Sequence, residues 1–145
     1  MARSVEYTDN VIPASNSIMA KNWFRLYHYL GNASYQERAT SMLHNMTPNF
    51  FDYPSGYSNW MDLHLNYSQP FYEVAISGAS AEAKHKELNA FYIPNKLVAG
   101  ATEQSNIPLL KDRFKANETY IFVCQDKACQ LPVQQVSKAV KQLQP

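Results

Sequence analysis

Apolar and polar positions along this chain follow two different rhythms. As far as Ser68 apolar residues recur at helical spacing, and from Phe71 onward they come as short runs punctuated by glycine. In the first stretch Met19, Trp23, Leu26, Tyr27 and Leu30 make one stripe, with Ser15, Asn16 or Ser17 as N-cap and Gly31 as the stop, which predicts a helix. A second stripe of Ala39, Met42, Leu43 and Met46 begins with Ser34 as N-cap and Glu37 at capping-box spacing, and ends before Pro48. The short link Gly31 to Ala33 folds these two helices into an antiparallel hairpin. A loop of Phe, Tyr and Pro residues runs from Asn49 to Gly56, and Trp60, Leu63 and Tyr67 predict a third helix over 57–67. Residues 1–13 read as an extended lead-in, because Pro13 holds Ile12 in β or polyproline geometry.

In the second stretch the organising segment is Thr119 to Pro132. Tyr-Ile-Phe-Val leads into a polar turn at Gln125 to Lys127 and a second short apolar run, which predicts a hairpin whose first strand is buried on both faces. Such a strand needs partners, and the runs Tyr72–Ile76 and Lys96–Ala99 supply them. A Ser80-capped helix to Phe91, a short helix near Ile107 to Phe114 and an amphipathic tail carrying Val133, Val136, Val140 and Leu143 complete the pattern. Strand, helix, strand, helix, strand predicts a small, mainly parallel βαβαβ sheet with a terminal hairpin and a covering helix. The expected fold class is therefore mixed, α+β or α/β. Its boundary falls near Ser68 to Pro70, giving a helical segment 1–69 and an α/β module 70–145.

The chain has 145 residues, 46% of them apolar and 17% charged, a composition that excludes a disordered tail. A formal net charge of +1 gives no pull toward nucleic acid, acidic substrates or an anionic membrane. Neither half carries a strong field, with four basic and five acidic residues up to Gln69 against nine and seven from Phe71. The 19 aromatic residues are less even. Twelve precede Phe71, so the helical half has rings enough to line a surface. No apolar run reaches membrane-helix length and the start lacks the apolar core of a secretory signal, which makes the cytoplasm the expected compartment. In that compartment the sequons at Asn32, Asn45, Asn66 and Asn117 are expected to be coincidental.

The chemistry-bearing residues are sparse. Cys124 and Cys129 flank the expected hairpin turn, with a spacing matching neither the Cys-x2-Cys of redox dithiols nor a zinc knuckle. Two reduced structural thiols are the expectation, with a disulfide or redox pair, or a metal, as the alternatives. His28, His44, His64 and His85 lie on different segments without ligand spacing and read as surface or core-edge residues. Glu37, Asp52 and Asp62 lack a partner for carboxylate-pair hydrolysis. Trp23, Tyr27, Phe50, Phe51, Tyr53, Tyr57 and Trp60 are able to stack on sugar rings, although helix packing explains them as well. Gly78-Ala79-Ser80 sets a helix N-terminus after a strand, where anions bind, but without a nucleotide-binding fingerprint. No cofactor and no metal are expected.

The order of several short segments also carries a resemblance. Asp9-Asn10-Val11-Ile12-Pro13-Ala14-Ser15-Asn16-Ser17, Tyr35 to Ala39, Pro54-Ser55-Gly56, Ile76-Ser77-Gly78, Ile93-Pro94-Asn95-Lys96, Val123-Cys124 and Cys129-Gln130-Leu131-Pro132 succeed one another along nearly the whole chain. In this order they resemble the C-terminal end of the thioredoxin-domain-containing family that includes spermatogenesis-associated protein 20, a family whose activity is not assigned. Members commonly have glycine where this chain has Ser15. The resemblance implies that the chain is the last portion of a longer protein with a thioredoxin-like domain followed by an (α/α)6 toroid. That toroid is similar to N-acylglucosamine 2-epimerases and six-hairpin glycosidases. The helical segment would close the toroid and the α/β module would brace it, as a non-catalytic fragment whose partners are the missing N-terminal domains. Two alternatives stand beside this expectation. In one, Asn16 and Ser17, at a helix start facing the toroid cavity, join Trp23, Tyr57 and Trp60 in one wall of a sugar-binding site. In the other, the chain is a protein-interaction module. A fragment stripped of toroid neighbours is also expected to expose apolar surface or to self-associate.

Overall fold

The computed structural model describes residues 5–144. The first four positions of the expected lead-in lie outside the described residues. The fold is mixed α and β, with five α-helices and one four-stranded sheet among the described residues. By internal packing the chain divides into two units, Met1–Tyr27 with Gly31–Gln69, and His28–Leu30 with Pro70–Pro145.

The first unit is built from α1 (Ser15–Leu30, its last turn counted with the second unit), α2 (Ala33–Met46) and α3 (Ser58–Ser68). Gly31 ends α1 in the left-handed region at φ 68°, where its N–H donates to the Tyr27 carbonyl. The cap of α2 is Asn32 rather than the expected Ser34, because Asn32 is extended and its side chain accepts the Ser34 N–H at 3.0 Å. Trp23 of α1 stacks on Tyr35 of α2 with ring centroids 5.0 Å apart, and the Arg38 guanidinium lies over the Trp23 ring. The second helix therefore folds back along the first. The loop before α3 contains two single-turn 3-10 helices, Thr47–Asn49 and Pro54–Tyr57, each with proline at its start. Ala20, Phe24, Ala39, Leu43, Phe50, Tyr57, Trp60 and Leu63 form the buried apolar set.

The N-terminus of α1 is not capped by any of the residues the sequence suggested. Its N-cap is Ala14, which has no side chain to accept a hydrogen bond, and the acceptor comes from Asp9 instead. Asp9 is 3% exposed. One carboxylate oxygen accepts the Ala14 N–H at 2.9 Å and the Ser17 hydroxyl at 2.8 Å, while the other accepts the Asn59 N–H at 2.8 Å in the first turn of α3. A single negative charge thus sits at two helix N-termini, where free N–H groups and the helix dipoles both favour it. Burial pushes the Asp9 carboxyl up, but hydrogen bonds from the Ala14 and Asn59 amides and from the Ser17 and Asn59 side chains outweigh it. The net effect holds Asp9 below its usual 3.8.

The second unit is organised around β1 (Tyr72–Ser77), buried along its whole length. The sheet order is β2 (Lys96–Ala101), β1, β3 (Tyr120–Gln125), β4 (Ala128–Cys129). β2 pairs with β1 in parallel, Val74 opposite Val98, across the helix α4 (Ala81–Asn89). β3 pairs with β1 antiparallel, Val74 opposite Val123, so the expected mainly parallel βαβαβ sheet is corrected to a mixed one. The reason lies in the connection after β2. Where a second crossover helix was expected, Pro108 lacks a donor, Asp112 and Asn117 take left-handed backbone at φ 60° and 67°, and no helix forms.

The two faces of the sheet divide by strand alternation. Tyr72, Val74, Ile76, Ile121 and Val123 pack with Ala81 and Leu88 of α4 and with Val136, Ala139, Val140 and Leu143 at α5 (Val136–Gln142). Ala75, Leu97 and Phe122 pack on the other face with Leu109, Leu110, Phe71 and Tyr29. The expected terminal helix is shorter than the stripe suggested, since Val133 exchanges backbone hydrogen bonds with Ile121 at 2.7 and 2.9 Å.

Candidate functional site

The sequence candidates of the first unit are engaged in internal bonding. Ser17 is fully buried and bound to Asp9, and Asn16 donates its side-chain N–H to the Glu6 carbonyl at 2.6 Å. Trp60 is buried with its indole N–H on the Tyr7 carbonyl at 2.8 Å, Tyr57 is buried beside Phe50, and Trp23 is half-buried under Arg38 and Tyr35. Asn16 and Trp60 do meet at a hollow of about 180 Å³ shared with Tyr7, Met42 and Met46. Pockets that hold small-molecule ligands run from about 300 Å³ upward. Phe51 and Tyr53 stay exposed, Asp62 pairs with Lys21 at 2.6 Å, and Glu37, Asp52, His44 and His64 are exposed.

The turn Gly78-Ala79-Ser80 after β1, where anion binding was the alternative to plain connector geometry, is bonded by the chain itself. The Gly78 N–H donates to the Ala101 carbonyl, the Ser80 N–H to the Thr119 hydroxyl at 3.0 Å and the Ala81 N–H to the Gly78 carbonyl, so these three donors are engaged within the chain. Near the C-terminal end of β2 lies an open depression of about 460 Å³ lined by Glu82, His85, Gly100, Thr102, Glu103 and Ser105. His85 there pairs with Asn89 at 2.9 Å. No group of three or more His, Cys, Asp or Glu side chains among the described residues is arranged to hold a metal ion.

The polar groups that do converge lie in the second unit, on the sheet face opposite α4 and α5. Hairpin pairing sets Cys124 directly across from Cys129, and the two are joined as a disulfide. The expectation of two reduced thiols is corrected here, because a two-residue turn, Asp126 and Lys127 at φ 48° and 66°, aligns the strands with these side chains face to face. Cys124 is 1% exposed, whereas Cys129 on the short edge strand is exposed. Arg113 lays its guanidinium against both sulfurs, one nitrogen donating to each Sγ at 3.4 Å, and stacks over the Phe122 ring at 4.9 Å. Burial pulls Arg113 below its ordinary value while the charge of Glu73 acts in the opposite sense.

Glu73 is opposite Cys124 in the ladder between β1 and β3, and it is buried. Its carboxylate meets His28 Nδ1 at 2.6 Å, with both side chains less than a tenth exposed, and the His28 ring packs on Phe71. Of this set the sequence reading singled out the two cysteines and treated His28 as peripheral. Glu73 was visible as the one charge inside an apolar strand, and a charge there needs a partner. Arg113 carried no local signal, because it reaches the sulfurs from an irregular connection. Comparison with protein-family models, with curated proteins and with solved structures returns no match to this chain.

Proposed function

We propose that the chain is a non-catalytic structural portion of a larger cytoplasmic protein of the thioredoxin-domain-containing kind that its segments resemble. In this reading the first unit closes a ring of paired helices and the second braces it. The observation that carries it is the contrast around the Asp9 clamp. Asn16, Ser17, Tyr57 and Trp60 are spent on holding the fold, while Val11 at 97% exposure, Ile12 at 73%, Ile18 and Met19 turn apolar side chains outward from a tightly bonded backbone. Exposed apolar residues that gather into a contiguous patch are a feature of protein contact surfaces. No helix among the described residues is long and apolar enough to cross a membrane.

The test is reconstitution. The chain is mixed with the thioredoxin-like and toroid portions of a family member, and association is followed by sedimentation velocity. Binding that Val11→Asp with Ile12→Asp abolishes is the expected result, together with no turnover of N-acyl sugars or disaccharides by the chain. Failure to associate, or turnover that Asn16→Ala removes, overturns the proposal and favours the sugar-site alternative.

A further inference from the structure

We propose that the Cys124–Cys129 disulfide is a thiol–disulfide exchange site, with Cys129 as the sulfur that is attacked and Cys124 as the leaving thiolate held by Arg113. The inference goes beyond the proposed structural role by adding a redox exchange to it, at a site that shares no residue with the Asp9 clamp or the exposed segment near Val11. It rests on an asymmetry and a charge. Only Cys129 is reachable from solvent, and attack on a disulfide requires access along the far side of the sulfur attacked. The other sulfur leaves into a buried position where a guanidinium already donates to it at 3.4 Å. A cationic neighbour is what lowers a thiol's pKa and makes its thiolate a good leaving group.

The exchange balances with a thiol as the named reductant. A thiolate R–S⁻ attacks Cys129 Sγ, forming an R–S–Sγ bond as the Sγ–Sγ bond breaks, and the electron pair of that bond leaves on Cys124 Sγ as a thiolate beside Arg113. A second R–S⁻ attacks the R–S sulfur of the mixed disulfide and releases Cys129 as a thiolate, which takes a proton from water. The products are the dithiol and R–S–S–R, with two electrons passed to the protein. The reverse sequence oxidises the site at the expense of a disulfide substrate. Arg113 touches both reacting sulfurs and is therefore a catalytic residue of the exchange. The other titratable groups on this face are Glu73 and His28, Tyr29 in the cluster with Phe122, and Tyr120 with the Lys115 ammonium over its ring. The Glu73 carboxylate opposes a thiolate at Cys124, while it also supports the charge of Arg113.

The magnitude follows from the thiol pKa. Lowering it by about one unit from an ordinary ~8.5 raises the dithiol-to-disulfide ratio at pH 8 about threefold, and two units raise it roughly twenty-five-fold. The experiment equilibrates the folded chain, without denaturant, against glutathione and its disulfide at pH 8, and in a separate arm against a reduced Cys-x2-Cys protein. Acid-trapped alkylation and intact mass read the outcome. Reduction in either arm is expected, and the faster arm names the source of the thiol. Arg113→Gln should shift the equilibrium toward the disulfide by about threefold or more, and Arg113→Lys should restore most of the loss. Among single cysteine variants, Cys124→Ser should leave a residue 129 thiol that takes up a glutathionyl group. Cys129→Ser should leave a buried thiol that does not while the chain stays folded by circular dichroism. A disulfide that resists both reductants until the chain is unfolded overturns the proposal. Equal redox equilibria for wild type, Arg113→Gln and Arg113→Lys, or labelling of the two single variants in the opposite order, overturn it as well.

Discussion

Removing the Asp9 carboxylate tests whether one buried charge organises the helical unit. In Asp9→Ala the Ala14 and Asn59 amides lose their acceptors, while the Ser17 hydroxyl keeps the Ala14 carbonyl at 2.9 Å as an alternative partner. Two helix caps are therefore lost, each worth about 1–2 kcal/mol, and the expected cost is about 2–4 kcal/mol. With a urea slope of about 1–2 kcal/mol/M for a unit of this size, the midpoint should fall by about 1 M or more. Both tryptophans, Trp23 and Trp60, lie in this unit, so fluorescence reports its unfolding separately from the α/β unit. The sign with pH is fixed by the direction of the shift. Asp9 titrates below its usual 3.8 in the folded state, so its stabilisation is fully present above about pH 4 and is lost as the pH falls through the folded value. The gap between wild type and Asp9→Ala should hold near pH 7 and shrink in acid. A variant that unfolds with the wild-type midpoint at pH 7, or a gap that stays constant from neutral pH to pH 2, would refute the reasoning.

The remaining expectations are narrower. Gly78 has φ 132°, and a Cβ there would stand 2.1 Å from the Glu118 carbonyl oxygen, so Gly78→Ala should destabilise the α/β unit by about 2–4 kcal/mol in thermal unfolding followed by circular dichroism. Lys127 occupies the second central position of a two-residue hairpin turn at φ 66°, where glycine is favoured. Lys127→Gly should raise stability by about 0.5–1 kcal/mol, and a loss would show that the lysine side chain contributes more than its backbone costs. Trp60→Phe deletes the indole donor to the Tyr7 carbonyl and leaves a small gap. It should cost about 1–3 kcal/mol by urea titration, and a neutral result would mean that the lead-in is held without it.

Local signals were legible wherever one turn of chain contains both halves of an interaction. The helix segments, Gly31 as a stop, the three strand segments and the hairpin turn could be read from residue spacing, although α1 buries Ser17, Ala20 and Phe24 rather than the stripe of Met19, Trp23, Leu26, Tyr27 and Leu30. The N-cap of α1 could not. Serine and asparagine at residues 15–17 satisfy the capping pattern, yet the acceptor is Asp9, which the folded lead-in brings back to serve α3 as well. No window along the sequence contains Asp9, Ala14 and Asn59 together.

Strand direction was equally beyond the sequence. The run Tyr120–Gln125 fits a buried strand in either direction, because a strand covered on both faces alternates nothing that marks its orientation. Direction was decided by the irregular connection after β2, which brings β3 alongside β1 instead of crossing over in parallel. The same step set Cys124 opposite Glu73 and delivered Arg113 to the sulfurs. The sequence by itself determined most of the helix and strand segments, though not the irregular stretch after β2, and that the two cysteines flank a turn. Tertiary structure alone decided which charges those cysteines face, because electrostatic neighbours depend on distance in space and the residues concerned are far apart along the chain.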